Sequence, residues 1–419
     1  MRRAVSILAV QRRSNLRLPV PRAMTVLSDQ VRKRGLNALL VYTFLMVVGF
    51  AMLMPLVSVH FVSNAGMAAA VVGGALALRQ ITQQGLALVG GMLADRFGVR
   101  PMICLGVLLR AAGFASLAFA GDALTLCVAM VVSALGGALF EAPYQAAIAA
   151  LTTQETRPRY YALSNWVSGI ASTVGPLVGV ALLHVDFQIV CLAAAACFAL
   201  NCGIALWMLP PLASPEAPRL TTHRLALVTR DRRFLLFTGL MMGYWFVAVQ
   251  INISFPLLAE RLSGNQDSVG IMFALSAGLT VLLQYHLLRV AERWLSTQQI
   301  LVLGVTIIAL GVGAIALAQT FAAFLVCVAA FSIGAILVRP TMQNLIASMA
   351  NPQALGTFLG FSSLSLALGG AIGNVTGGWL VEFSSTRQWP QLPWMIFCAV
   401  GLLSAFGLFR LAPRAREAT

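Results

Sequence analysis

Four charged side chains fall inside long apolar stretches of this 419-residue chain, where a charge is costly and therefore informative. Glu141 is the carboxylate placed deepest in such a stretch, and Arg110, Arg79 and Arg339 are the basic residues in the same situation. Burial favours the neutral form of a carboxylate and a neighbouring cation favours the charged one, so a change of surroundings can load or unload a proton. The chemistry open to this set is proton exchange by Glu141 coupled to a switch of partner, with Arg339 as the leading partner. The competing reading is a static buried pair, Glu141 with Arg110, that only holds helices together. Arg79 lies too far along its own stretch to join Glu141 easily. It suits either a hydrogen bond to Gln80 or Gln83 or a substrate-facing role. His60, His184 and His286 are scattered singly and read as separately satisfied residues, not as ligands.

The elements that must position these charges follow from composition. The chain is 59% hydrophobic and only 10% charged, against about a quarter charged in a soluble domain. Such a surface cannot be covered against water, so the apolar excess must face lipid. About 20 apolar residues cross a bilayer as a helix. Runs of that kind fall near 36–62, 70–94, 101–120, 124–151, 160–184, 189–210, 234–259, 268–290, 300–319, 321–349, 356–383 and 391–412. The fold class is thus an all-α membrane protein with twelve transmembrane helices. Glu141 lies about eleven residues from the nearer end of the fourth, or roughly 16 Å deep at 1.5 Å per residue. Arg110, in the third, reaches a similar depth.

Charge gives the orientation. Of the 28 Lys and Arg, twenty-three lie before the first run, after the last, or in alternate connections on the same side, and only Arg261 and Arg387 lie on the other. Basic loops stay cytoplasmic, which places both termini on the cytoplasmic side of the membrane. The net charge of +15 is therefore a topology signal, and no nucleic-acid partner is expected. All seven cysteines fall within the apolar runs, where they act as small apolar residues, and no metal-ligand cluster, phosphate loop or Ser/His/Asp set occurs. Neither an enzyme nor a cofactor is expected.

Residues 1–35 hold nine basic residues and a single acid, Asp29, and read as a basic cytoplasmic tail. Met24 stands a short way before the first apolar run, so 1–23 reads as an over-long start. The stretch 211–233, rich in proline and then in arginine, reads as a cytoplasmic linker between six-helix units at 36–210 and 234–412, with a tail at 413–419. Internal repetition supports two halves. At an offset of 197, Asp95 meets Glu292, Arg96 meets Arg293, Gly137 meets Gly334 and Pro143 meets Pro340.

Three further patterns carry mechanism. The connection after the second run reads Gly91-x3-Asp95-Arg96-x-Gly98-x-Arg100, with a glycine for close helix approach, a glycine for a tight turn and a charge cluster between them. The second-half counterpart, Glu292-Arg293, lacks the leading glycine. The fifth helix carries Gly169, Gly175-Pro176 and Gly179, in which proline kinks the helix and glycine lets a neighbour approach. Tyr42, Tyr244, Trp245, Gln250 and Asn252 offer aromatic and amide surface for flat apolar or cationic compounds, although each equally suits core packing.

The loop pattern, its position after the second helix and the twelve-helix, two-half plan resemble the major facilitator superfamily, and the fifth-helix glycines are similar to the signature of its drug:proton antiporters. The resemblance covers residues 36–412. It implies a carrier in which helices 1, 4, 7 and 10 line a central cavity and Asp95, Arg96 and Arg100 latch the halves at the cytoplasmic face. It further implies proton-coupled efflux of drug-like amphiphilic small molecules by alternating access, by a protein that works as a monomer in the lipid bilayer. Transport of one defined metabolite and a non-transporting membrane sensor are the alternatives.

Overall fold

A computed structural model describes residues 28–153, 155–210, 227–350 and 355–411. The over-long start at 1–23, most of the basic tail, residues 211–226 of the linker and the tail at 413–419 lie outside the described residues. The described residues form twelve spans: α1 (Asp29–Val59), α2 in two pieces (Ala69–Gly85 and Ala87–Phe97), α3 (Val99–Leu117), α4 (Ala123–Leu151), α5 (Arg157–Leu183), α6 (Phe187–Met208), α7 in two pieces (Arg232–Ala248 and Ser254–Ser263), α8 (Asp267–Trp294), α9 (Thr297–Ala314), α10 (Phe321–Met349), α11 in two pieces (Leu355–Leu364 and Gly370–Arg387) and α12 (Leu392–Arg410). No strand occurs among them. In hydrocarbon every backbone N–H and C=O must be satisfied within the segment, which leaves a helix as the available form for these runs.

Short polar residues set the helix starts. Asp122 caps α4 by accepting from the Thr125 N–H, whose side chain accepts in return from Asp122 N–H. Ser296 and Gln299 do the same for α9. Ser28, Asp186, Asp231 and Thr320 cap α1, α6, α7 and α10.

Three spans expected to be continuous are interrupted. The second, expected over 70–94, breaks at Leu86 behind Gly85, a residue that weakens helices. The seventh passes through a 3-10 turn, Val249–Asn252, where the Gln250 amide donates to the carbonyls of Phe246 and Gly373 at 2.9 and 2.8 Å. A side chain thus takes over hydrogen bonding that the helix backbone gives up. The eleventh widens into a π turn at Ser365–Gly369.

Glycines bring the helices together. A Cβ on Gly106 of α3 would meet Gly136 O and the Phe140 Cβ at 2.8 Å. In the second half, Gly304 of α9 faces Gly334 O of α10 at 3.0 Å, the counterpart of the same helix pair. Six helices thus pack together in each half, and the halves meet along two seams, α2 with α11 and α5 with α8.

The two seams close at one end only. Alternation of twelve spans puts Asp29 and Arg410 at the same end, here the terminal end, and the α1–α2 and α7–α8 connections at the far end. Among the described residues, the hydrogen bonds and ion pair that cross between the halves all lie at the far end. Ser63 donates to Glu260 at 2.5 Å, Gln266 donates to Asn64 at 2.9 Å, Ala70 N–H donates to Glu382 at 3.3 Å, and His184 pairs with Asp267 at 2.8 Å. Toward the terminal end, Leu163 and Trp166 of α5 and Leu282, Tyr285 and Trp294 of α8 are exposed. The molecule is closed at the far end and open at the terminal end.

Candidate functional site

Glu141 sits on α4 ten residues from its last residue, Leu151, and its side chain is exposed. No cation lies within 4.0 Å of it among the described residues, so neither expected ion pair, with Arg339 or with Arg110, is formed directly. Its carboxylate instead accepts from the Gln83 amide of α2 at 3.4 Å. The other end of that amide accepts from two guanidiniums, Arg110 of α3 at 2.6 Å and Arg79 of α2 at 3.2 Å. Arg79 therefore joins Glu141 through one shared amide, where its position along the helix had suggested isolation. One helical turn from Arg79 to Gln83 brings the polar end of the side chain back toward α4.

Both arginines are buried, 9% and 4% exposed, and need every partner they can find. They flank the Phe50 ring of α1 at 5.4 and 5.5 Å. Arg110 also donates to Ser133 O at 3.2 Å and lies over the rings of Phe114, Phe140 and Phe198. Room for the crossing comes from Gly137, one turn before Glu141. A Cβ there would fall 2.5 Å from Arg110 Nη2 and 2.8 Å from Gln83 Cδ.

Arg339 of α10 is exposed and sets its guanidinium against Tyr244 of α7. Tyr244 is 1% exposed, stands edge-on to the half-buried Trp245 at 4.9 Å, and belongs to the wall of the second half. Tyr42 is buried too, stacked on Tyr144 of α4 at 5.2 Å. Gln250 is fully buried, and its amide is committed to the α7–α11 contact, with Ser254 donating to its oxygen at 2.7 Å. That placement moves Gln250 from a substrate-facing wall into the helix joint. Asn252 is half-buried at the end of the same turn.

At the terminal end, Gly98 has φ +95°, a backbone conformation that excludes most side chains, and it joins α2 to α3 in a tight turn. Gly91 stands 3.6 Å, measured from an added Cβ, from Ala142 of α4. Arg96 is exposed over the Phe97 ring at 5.3 Å, and Arg100 is half-buried. The Asp95 side chain lies outside the described residues. Glu292 and Arg293 are exposed at the end of α8. In α5, added Cβ atoms on Gly175 and Gly179 would overlap Ala51 and Met52 of α1, and one on Gly169 would meet Val281 of α8 at 2.9 Å. Pro176 lies between them, with its carbonyl 3.7 Å from the position of a Gly270 Cβ. These glycines are thus where α5 meets both α1 and the opposite half.

Sequence reasoning missed Gln83 as a shared partner and the whole far-end set. The signal for Gln83 was its spacing from Arg79, four residues along one face. No local spacing marks the far-end partners, which lie 83 to 312 residues apart.

Known proteins share this architecture. Residues 39–294 and 234–419 match the family model of the Major Facilitator Superfamily. Multidrug resistance protein MdtH of Yersinia pestis (strain Pestoides F) is 39% identical over 385 residues, 91% of this chain and 96% of that protein. The protein of the same name from Yersinia pseudotuberculosis serotype O:1b (strain IP 31758) matches equally. Among solved structures, the nucleoside transporter NupG superposes with a TM-score of 0.74 at 15% identity, over 90% of this chain and 98% of its own. A peptide transporter POT in complex with sulfate superposes with a TM-score of 0.76 at 14% identity, over 91% and 94%. At such identities those two structures speak for the fold alone. The family model and the long 39% match go further: this chain belongs to the Major Facilitator Superfamily.

Proposed function

We propose that the chain is a proton-coupled multidrug efflux transporter of the bacterial inner membrane, working by alternating access. The substrate class rests on the MdtH proteins, whose printed name is multidrug resistance protein and which align over nearly their full length. Both termini lie in the cytoplasm on this reading, because the basic residues gather at the terminal end. The arrangement closed at the far end is then the inward-facing one, ready to take drug-like amphiphiles from the cytoplasm. One copy suffices, since each half supplies one wall of the cavity. The units at 36–210 and 234–412 rock about the far-end contacts, and residues 211–233 link them.

The observation that carries proton coupling is the situation of Glu141. Among the described residues it is a mid-span carboxylate, exposed, hydrogen-bonded to an amide and with no cation within 4.0 Å. Such a group can exchange a proton with the cytoplasm and change partners when the halves rock. Arg339 of the opposite half is the cation it would approach, and the half-buried Trp245 supplies aromatic surface for a substrate, with Tyr42 and Tyr244 buried behind the walls. Asp95, Arg96 and Arg100, with Glu292 and Arg293 opposite, close the terminal end in the other state. Inward proton flow drives outward substrate movement if the two ligands favour opposite states of the same cavity.

The test is efflux of a panel of fluorescent cationic and zwitterionic drugs from cells, with and without a collapsed proton gradient. Wild-type efflux should stop when the gradient collapses. Glu141→Gln should abolish gradient-driven efflux and Glu141→Asp should retain part of it. Wild-type pH-dependent efflux in Glu141→Gln would end the coupling role.

A further inference from the structure

The polar centre of the first half contains an amide whose orientation is not free. Two guanidiniums donate to Gln83 Oε1, Arg110 at 2.6 Å and Arg79 at 3.2 Å. A guanidinium has donors only, so turning the amide over would set its N–H2 against two cations. The Nε2 must therefore point the other way, and what it meets is Glu141 Oε2 at 3.4 Å. The contact is built in from the α4 side. Gly137 and Glu141 lie one turn apart on one face, and the missing side chain at Gly137 is the slot through which Arg110 reaches the amide.

We propose that Gln83 is the positioning residue of the proton-exchange site, a polarised link that holds Glu141 as a hydrogen-bond acceptor while the terminal end is open. An ionised carboxylate has only acceptors and suits this donor. A carboxylic acid can still accept through its carbonyl oxygen, but more weakly than the carboxylate, so the Gln83 N–H favours the ionised form. The link thus extends the charge of two buried arginines to a carboxylate neither of them touches. Other polar groups around Glu141 do not supply this. Tyr42 of α1 is stacked on Tyr144, Tyr161 of α5 donates to Gln145, and Arg339 of α10 is engaged with Tyr244. The inference rests on the reading of Glu141 as the proton carrier, and its test is separable from that reading.

Gln83→Glu is the decisive variant. A carboxylate at position 83 still accepts from both guanidiniums, so the bundle keeps its partners and should melt within a few degrees of wild type. It removes the N–H donor and sets a second carboxylate beside Glu141, and two carboxylates at one site compete for a proton. The readout is the infrared carboxyl band of Glu141 in the purified full chain in liposomes, assigned by difference from Glu141→Gln and titrated with pH. The midpoint should move up by about one pH unit in Gln83→Glu, roughly a tenfold change in proton affinity. Gly137→Ala, which pushes the amide out of its slot, should move the midpoint the same way. A midpoint unchanged in both variants overturns the proposal. The titration needs no transported substrate. If Glu141→Gln keeps gradient-driven efflux, the coupling reading fails on its own while the infrared result still judges the link.

Discussion

The closure of the far end can be opened by a single methyl group. Gly73 of α2 faces α11 so closely that an added Cβ would overlap the Asn374 carbonyl oxygen, well inside the 3.0 Å that real Cβ atoms keep, with Gly378 Cα at 3.3 Å beyond it. Neither obstacle is a flexible side chain, so Gly73→Ala can be accommodated only if the two helices separate. To reach ordinary contact at 3.4 Å they must part by roughly 1 Å at this point. Overpacking of this kind costs about 1–3 kcal/mol. The same substitution gains about 1 kcal/mol of helix propensity, but it gains it in either state and cancels from the balance between them. The net effect should shift the population away from the state closed at the far end by roughly 5- to 150-fold.

The neighbouring Gly74 is the internal control, because nothing lies within 4 Å of a Cβ there. Spin labels at Val185 and Trp389, exposed at the far end in opposite halves, would report the opening in a cysteine-free background. Gly73→Ala should move the distance distribution toward longer values, while Gly74→Ala should match the parent. Identical distributions in all three proteins would refute the argument. So would an equal shift in the two variants, which would make propensity the cause.

Three other substitutions separate folding from gating. Gly136→Ala in α4 sets a Cβ 2.5 Å from Gly106 O and 2.8 Å from Arg110 Cα, within one half, so it should cost about 1–3 kcal/mol of stability. It should lower the melting temperature in detergent without moving the far-end distance, whereas Gly203→Ala, which meets nothing, should leave both unchanged. Gly270→Ala in α8 meets Val180 Cγ2 at 3.0 Å, a side-chain methyl that can give by a few tenths of an ångström. It should open the far end by clearly less than Gly73→Ala in the same spin-label measurement.

Much of this was legible in the residues, and the reasons differ by level. Membrane class, helix number and family resemblance came from apolar run length, basic alternation and the Gly-x3-Asp-Arg-x-Gly loop, all of them local signals. Glu141, Arg110 and Arg79 stood out because a charge in an apolar run has no cheap explanation. How they connect was not legible. Whether Arg79 reaches Glu141 depends on the rotation of α2 about its own axis, which places Gln83 under the Gly137 slot, and depth along the helix says nothing about rotation. Gln250 misled for a related reason. Its amide looked like cavity chemistry, yet the chain uses it to carry the backbone through the Val249–Asn252 turn. Helix interruptions are set by such tertiary bonds, so the apolar run continues across them unmarked.

The repeat explains why the far end is where the halves meet. Ser63 and Glu260, which hydrogen-bond across the interface, are separated by 197 residues, the offset that relates Asp95 to Glu292. Two positions equivalent under a pseudo-twofold can touch each other only close to its axis, so the axis passes between the ends of α1 and α7. Around it α2 exchanges with α8 and α5 with α11, which makes the α2–α11 and α5–α8 seams two copies of one contact. Gly73 and Gly270 stand at that same offset, one in each seam. Their surroundings have diverged, backbone carbonyl against one and a valine methyl against the other. Opening of the far end must loosen both seams together. The tighter α2–α11 seam therefore sets how readily the far end opens, and its helix α2 is the one that also carries Arg79 and Gln83 to Glu141. Movement of α2 at Gly73 and the hydrogen bond at Gln83 are joined by one helical segment, Ala69–Gly85, that ends before the break at Leu86.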